Sequence, residues 1–485
     1  MRRLFAYPAR PKIIAQALAT AALLVWLFLL HRPLGVPVQW AYRVNPAAWP
    51  WRAALVPVGV VVAMGLAAYL VRKVRILGAV VVFVGLPVVY VGLMAANPAW
   101  LRTAVAYQMS DVSTGYLAEA YRIDDARAYV RGFSAAEEQG EHLRTRPPGA
   151  TLLYYGLRRM DEAWPGVGDA LVAESVTVGC DTLYDIWRYA RNFPGAKGLP
   201  PGAVRVALLA ILAICMATSL AAALLFWIVS GAKGTAVGFL AAAMLGLSPA
   251  CALFFQCLDM LIVLVAVLVV AAMGKGWPSP WRVFGMGVLL GLGSTISLSA
   301  LGLAVAVACV SSGPTYERWR IAKGLLALVG GVAAVWVVGA IAGLRPFDVL
   351  ENSMAAHYLI AGPESHRSYG IWVWMNIVEF AVFLGLPVFV AGLPVIVAAI
   401  RRRRPRGLTP WAGMAFGAAV VLVAVSFGGE VRGETGRILA PLMPLVILFL
   451  AEAEEKPWAL GITAVLVLVQ TVGMALAMEP VSTPF

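Results

Sequence analysis

The chain has 485 residues, of which 61% are hydrophobic and 13% charged, and its mean hydropathy is +0.82. That composition excludes an ordinary water-soluble globule. The net charge of +13 would suit a nucleic-acid partner, but the basic residues sit in short loops between apolar runs, where they orient a membrane protein, so no nucleic acid is expected.

Apolar runs at 13–30, 53–71, 76–94 and 203–229 approach or exceed the roughly 20 residues that cross a ~30 Å hydrocarbon layer. The first follows MRRLFAYPARPK, a signal-peptide charge layout, yet it is long and lacks a small-residue cleavage site, so it reads as an uncleaved helix. With Arg2, Arg3, Arg10 and Lys12 in the cytoplasm, Arg72, Lys73 and Arg75 also fall inside, and the third run exits near Asn97. The polar stretch 97–202 then lies outside; its Trp, Tyr, Pro and alternating charges predict a folded loop of short interfacial helices. The chain returns through 203–229 to Lys233, and runs at 235–253 and 258–273 place Lys275 and Arg282 inside.

The run 283–310 reads either as one span or as two short helices meeting at GLGSTISLS. A single crossing would put Arg318, Arg320, Lys323 and the run RRRRPR at 401–406 outside, so the charge pattern selects a hairpin of incompletely spanning helices. Three polar stretches, 97–202, 344–370 and 428–437, then share the outer side. The expected fold is an all-α polytopic membrane protein with roughly 11–13 transmembrane helices. It divides into N-terminal helices at 1–96, the outer loop 97–202 and a helical remainder at 203–485 without detectable internal repeat.

Candidate chemistry gathers on that side. In 97–202, MSDVSTGY carries Asp111 and Tyr116, RIDDAR carries Asp124 and Asp125, and EHLRTRPPG carries His142, Arg144 and Arg146. Taken singly, each is explained by a solvated loop, and Pro-Pro-Gly by a rigid lead into a helix near Ala150. The second stretch brings His357, His366 and Arg367 ahead of a helix holding Asn376 and Glu379, one turn apart on an apolar face, where a carboxylate needs a partner or a water-filled cavity. The third, SFGGEVRGETGRILAPLMP, packs Glu430, Arg432, Glu434 and Arg437 between two spans; the bland alternative is a surface salt-bridge cluster of little worth. Asp259, in SPACALFFQCLDML, stands at the outer start of an otherwise apolar helix.

Carboxylates that take a proton, beside Arg and His that hold an anion, suit transfer from a phosphate-activated donor. No GxxxxGK[ST] loop is present for a nucleotide. Cys215, Cys251, Cys257 and Cys309 lack metal-ligand spacing and Cys180 alone lies outside an apolar run, so neither zinc nor a disulfide framework is expected.

In order, DVSTGY, TRPPGATLLYY, SPACALFFQCLDML, HRSYGIWVWMNIVEF and RGETGRILAPLMP, spanning about 100–450, resemble motifs of bacterial multispanning glycosyltransferases of the GT-C superfamily. These are relatives of the dolichyl-phosphate-mannose protein mannosyltransferases and the lipid A aminoarabinose transferases. The resemblance implies a GT-C-like bundle in the plasma (inner) membrane. It further implies transfer of a sugar, usually with inversion, from a polyprenyl-phosphate donor to a lipid, glycan or protein acceptor on the extracytoplasmic face. It assigns the general base to Asp111, with Asp125 or Asp124 as substitutes, and the donor phosphate to Arg146, Arg432 or Arg437. No cofactor is required, and a divalent metal between acidic groups is compatible with it. The family's His-Pro-Pro-Gly element departs here: Arg146 stands for the histidine and His142 lies four positions earlier. Under this reading Tyr154 and Tyr155 anchor the re-entering helix at the interface. The rival reading is an ion-coupled transporter or lipid flippase using Asp259 and Glu379 as proton sites.

Overall fold

The computed structural model describes residues 9–44, 55–96, 99–111, 113–133, 141–177, 182–192, 198–274, 278–311, 318–361, 365–401, 409–454 and 456–478. Among them the chain is helical apart from one antiparallel hairpin, Leu34–Val36 with Trp40–Tyr42. Six helices are long and apolar enough to cross a membrane: Arg10–Phe28, Arg75–Met94, Ala203–Lys233, Trp319–Ile341, Pro410–Gly428 and Pro457–Ala477. A bent pair, Tyr369–Leu384 with Leu386–Leu393, turns through 110° at Gly385 and makes a seventh if it is one span. Shorter apolar helices, Leu55–Leu70, Thr235–Gly246, Asp259–Met273, Leu298–Ser311 and Ala440–Ala453, fill the bundle. The chain is an all-α, multi-pass membrane protein.

Ala203–Lys233 is the axis: its 31 residues rise about 46 Å at 1.5 Å per residue, and its Ala, Leu and Ile side chains are buried on most faces. Arg205 at its start pairs with Asp161 at 3.1 Å, and Lys233 at its end donates to the Glu452 carbonyl at 2.7 Å. Around that second end collect Arg75, which donates to the Trp227 carbonyl at 2.6 Å, and Lys12, paired with Glu454 at 2.7 Å. The basic residues thus mark one end of the bundle and the polar stretches the other.

The run 283–310 is two pieces, Pro280–Ser294 and, after a break at 295–297, Leu298–Gly302 continuing into Leu303–Ser311. The chain reverses there: a Cβ on Gly293 would lie 3.1 Å from that of Ala300. The first piece packs on Arg318–Ile341 through Gly287 and Gly331, where a Cβ on Gly331 would come within 2.2 Å of the Phe284 carbonyl. Small residues at such a crossing let two backbones touch in a bilayer that offers no hydrophobic drive between helices. Within the stretch 97–202 the described residues form short helices, among them Ala99–Met109, Tyr116–Arg122, Gly149–Ala163 and Pro165–Thr177, which pack on the axis helix.

Candidate active site: an arginine clasp where three stretches meet

Asp259 opens the helix Asp259–Met273, where free N–H groups favour a carboxylate, and is 1% exposed. Arg146 Nη2 donates to both of its oxygens, at 2.7 and 2.8 Å. Arg437 Nε approaches Oδ2 at 3.3 Å from the other side. One buried carboxylate therefore holds two guanidinium groups from stretches 291 residues apart in number, 146 and 437.

The sequence TRPPG places the first of them. Pro147 and Pro148 are buried, and the Gly149 N–H donates to the Thr295 carbonyl at 2.9 Å. A Cβ on Gly149 would sit 2.4 Å from that oxygen, so only glycine lets the helix Gly149–Ala163 dock on the break in the hairpin. Arg437 is placed by the 428–437 stretch. Its Nη1 donates to the Tyr107 hydroxyl at 2.7 Å and its Nη2 to Glu434. Glu434 adopts φ +60° directly after Gly433 at φ +102°, a left-handed kink that non-glycine residues rarely hold without surrounding support.

Asn376 and Glu379 supply that support. Asn376 donates to the Val431 carbonyl at 2.7 Å and accepts the Gly433 N–H at 3.1 Å; Glu379 accepts the Tyr42 hydroxyl at 2.8 Å and the Gly436 N–H at 3.3 Å. Arg367 lies 3.6 Å from Glu434 and stacks on Trp40 at 4.8 Å, while Arg432 donates to the Arg367 carbonyl at 2.8 Å. The hairpin 34–42 is thereby built into the site's frame.

Against the clasp lies a cavity of about 340 Å³, walled by all three polar stretches, by Gln256 to Asp259, and on one side by apolar Leu298, Val421 and Val425. Among the described residues four buried atoms of wall residues have no hydrogen-bond partner: Arg146 Nη1, Ser113 Oγ, Gln256 Oε1 and Ser353 Oγ. Buried polar atoms are nearly always paired, and these exceptions belong to residues of one cavity wall. Burial lifts the Tyr107 and Tyr116 hydroxyls above the ordinary phenol range, keeping them neutral.

Of the residues singled out in the sequence, Tyr116, Arg146, Asp259, His357, Glu430, Glu434 and Arg437 line the cavity. Arg367, Arg432, Asn376 and Glu379 stand behind it and hold the 428–437 stretch. Asp111 is half-buried in the turn two residues before Ser113 but is not on the wall. Asp125 caps Ala126–Gly132 through the Arg127 N–H at 2.8 Å, and like Asp124 it is exposed. Arg144 is half-buried and His366 exposed, both off the cavity; the His142 side chain lies outside the described residues. Tyr154 corrects the expectation of an interfacial anchor: it is 1% exposed, and its hydroxyl donates to Gln108 Oε1 on the cavity wall. Sequence reading passed over Tyr42, Tyr107, Gln108, Gln256 and Ser353; buried glutamines in apolar runs are the signal that was available. Among the described residues no group of three or more His, Cys, Asp or Glu is placed to hold a metal.

His357 makes one pH prediction. Burial lowers its pKa below the ordinary imidazole value, opposed by its contact with the Glu430 carbonyl at 3.0 Å; Glu434, Glu430 and Arg367 are the charges facing it. A depressed imidazole contributes its full stability above its unfolded pKa of ~6.5 and loses it as pH falls through the folded value. Thermal stability in detergent should therefore fall on acidification below pH ~6.5, and His357→Gln should flatten that slope.

Compared with family models and with curated proteins, the chain gives no match.

Proposed function

We propose that the chain is a glycosyltransferase of GT-C type that moves a sugar from a polyprenyl-phosphate donor to an acceptor at the extracytoplasmic face of the plasma (inner) membrane. The observation that carries the proposal is the clasp: two arginines pinned by one carboxylate, with Arg146 Nη1 unpartnered at the cavity wall. A guanidinium so held is organised beforehand for a phosphate oxygen, which it binds by charge-assisted hydrogen bonds. The cavity fits a sugar-phosphate head, and its apolar side at Leu298, Val421 and Val425 is suited to the lipid leaving toward the bilayer. Its place at the end opposite Lys12, Arg75 and Lys233 supports an extracytoplasmic site and a cytoplasmic N-terminus.

In the reaction the acceptor's oxygen or nitrogen attacks the anomeric carbon from the face opposite the phosphate. The carbon–oxygen bond to phosphate breaks, the phosphate oxygen keeps the electron pair beside Arg146 and Arg437, and the configuration inverts. The acceptor proton goes to a carboxylate. Asp259 and Glu434 are both engaged by arginine, which leaves Asp111, in the turn beside the wall residues Ser113 and Thr114, as the proposed base, with Glu430 on the wall as its substitute. The transporter reading has less support: Asp259 is tied to the two arginines, and Glu379 accepts the Tyr42, Thr435 and Gly436 donors that frame the 428–437 stretch.

Purified protein given radiolabelled polyprenyl-phosphate monosaccharides and membrane extract should release polyprenyl phosphate from one of them. Arg146→Ala should lower the turnover roughly 10²–10³-fold, the usual loss for one preorganised anion donor. Folded protein that releases nothing from any donor would overturn the assignment.

A further inference from the structure

The reading of the cavity as a donor site can be taken one step further, to the chemistry of the sugar. Gln108 and Tyr154 both line the cavity and are committed to each other: Tyr154 donates to Gln108 Oε1, and Gln108 Nε2 donates to the main-chain carbonyl of Gln256. That bond fixes the backbone at 256, and the side-chain oxygen of Gln256, a wall residue 3% exposed, has no donor. Ser113, 8% exposed, brings a second unpartnered oxygen from the neighbouring turn. A carbonyl oxygen only accepts and a serine hydroxyl does both, so together they call for a ligand rich in hydroxyl groups.

Charge narrows the class. Among the described residues both buried carboxylates on the wall are held by arginine: Asp259 by Arg146 and Arg437, Glu434 by Arg437 and Arg367, while the third wall carboxylate, Glu430, is exposed. An ammonium group on a sugar held at the buried Gln256 and Ser113 would have no free buried counter-charge, at a cost that charged groups in low-dielectric sites do not escape. An added carboxylate would need a second available guanidinium, and of the buried guanidinium nitrogens on the described wall only Arg146 Nη1 is without a partner, the one assigned to the phosphate. We infer that Gln256 and Ser113 form a sugar subsite selective for a neutral, polyhydroxyl sugar and against cationic amino sugars and uronic acids. The inference rests on the glycosyl-transfer reading.

The test measures equilibrium binding to the full-length protein in detergent of three lipids with the same tail: polyprenyl monophosphate, its neutral hexosyl ester and its amino-hexosyl ester. The wild type should bind the hexosyl ester roughly tenfold more tightly than the bare monophosphate, as one well-paired buried acceptor allows, and the amino-hexosyl ester more weakly than the hexosyl ester. Gln256→Met should erase the hexosyl advantage while leaving monophosphate affinity in place, because the Gln108 bond to the main chain survives. Gln256→Glu should move preference toward the amino sugar. Equal binding of the two sugars by the wild type, or a Gln256→Met variant that loses monophosphate and hexosyl ester in equal proportion, overturns the subsite while the donor-site reading stands. Failure of folded wild type to bind any of the three lipids removes the donor-site reading and the subsite with it.

Discussion

Asp259→Asn is expected to cost about 3–5 kcal/mol of stability and to abolish transfer, because removing one partner of a buried ion pair leaves the others uncompensated. Two guanidinium groups lean on this carboxylate, which is 1% exposed, so its loss leaves Arg146 and Arg437 side by side with no charge between them. Thermal unfolding in detergent gives the first quantity and polyprenyl phosphate release the second. The double variant Arg146→Gln with Asp259→Asn separates them: charge is rebalanced, so stability should recover in part, whereas turnover should not, since the phosphate grip is gone. An Asp259→Asn protein with wild-type turnover would show that the clasp does not organise the site.

Gly149→Ala carries the second large effect. The added methyl would meet the Thr295 carbonyl at 2.4 Å, backbone against backbone, with no flexible side chain to yield. Overpacking of this kind costs ~1–3 kcal/mol, and here the relief is to push the helix Gly149–Ala163 off the hairpin break, carrying Arg146 with it. Turnover should therefore fall further than stability. Gly156, in the same helix, has open space where its Cβ would go. Gly156→Ala should be neutral or stabilising by ~0.5–1 kcal/mol, as alanine is a better helix former. Equal turnover in the two variants would show that the docking of Gly149 does not position the arginine.

The bundle, the broken run at 283–310 and the shared side of the three polar stretches were legible because hydropathy and loop charge are strong, local signals. Asp259 at a helix start was legible for the same reason. The partners were not. Arg146 and Asp259 are 113 residues apart, and nothing in either stretch names the other. Tyr154 reads alike whether its ring meets headgroups or a buried amide; the deciding residue, Gln108, lies 46 positions away. The strands of the hairpin are three residues each, too short for alternation to show, so Tyr42 and Trp40 gave no signal. Asp125 was readable as a cap, an Asp directly before a short helical run, and that simpler role is the one its side chain fills.

The tie between Tyr42 and Glu379 spans 337 residues, and Arg437 reaches Asp259 only after most of the chain exists. During membrane insertion the first three apolar runs, and even the axis helix, are in place long before either partner is synthesised. The clasp is thus among the last parts of the molecule to form. A truncated or stalled chain can occupy the bilayer without presenting a working site, and the N-terminal hairpin has to wait, unsealed, for the last quarter of the protein to close over it.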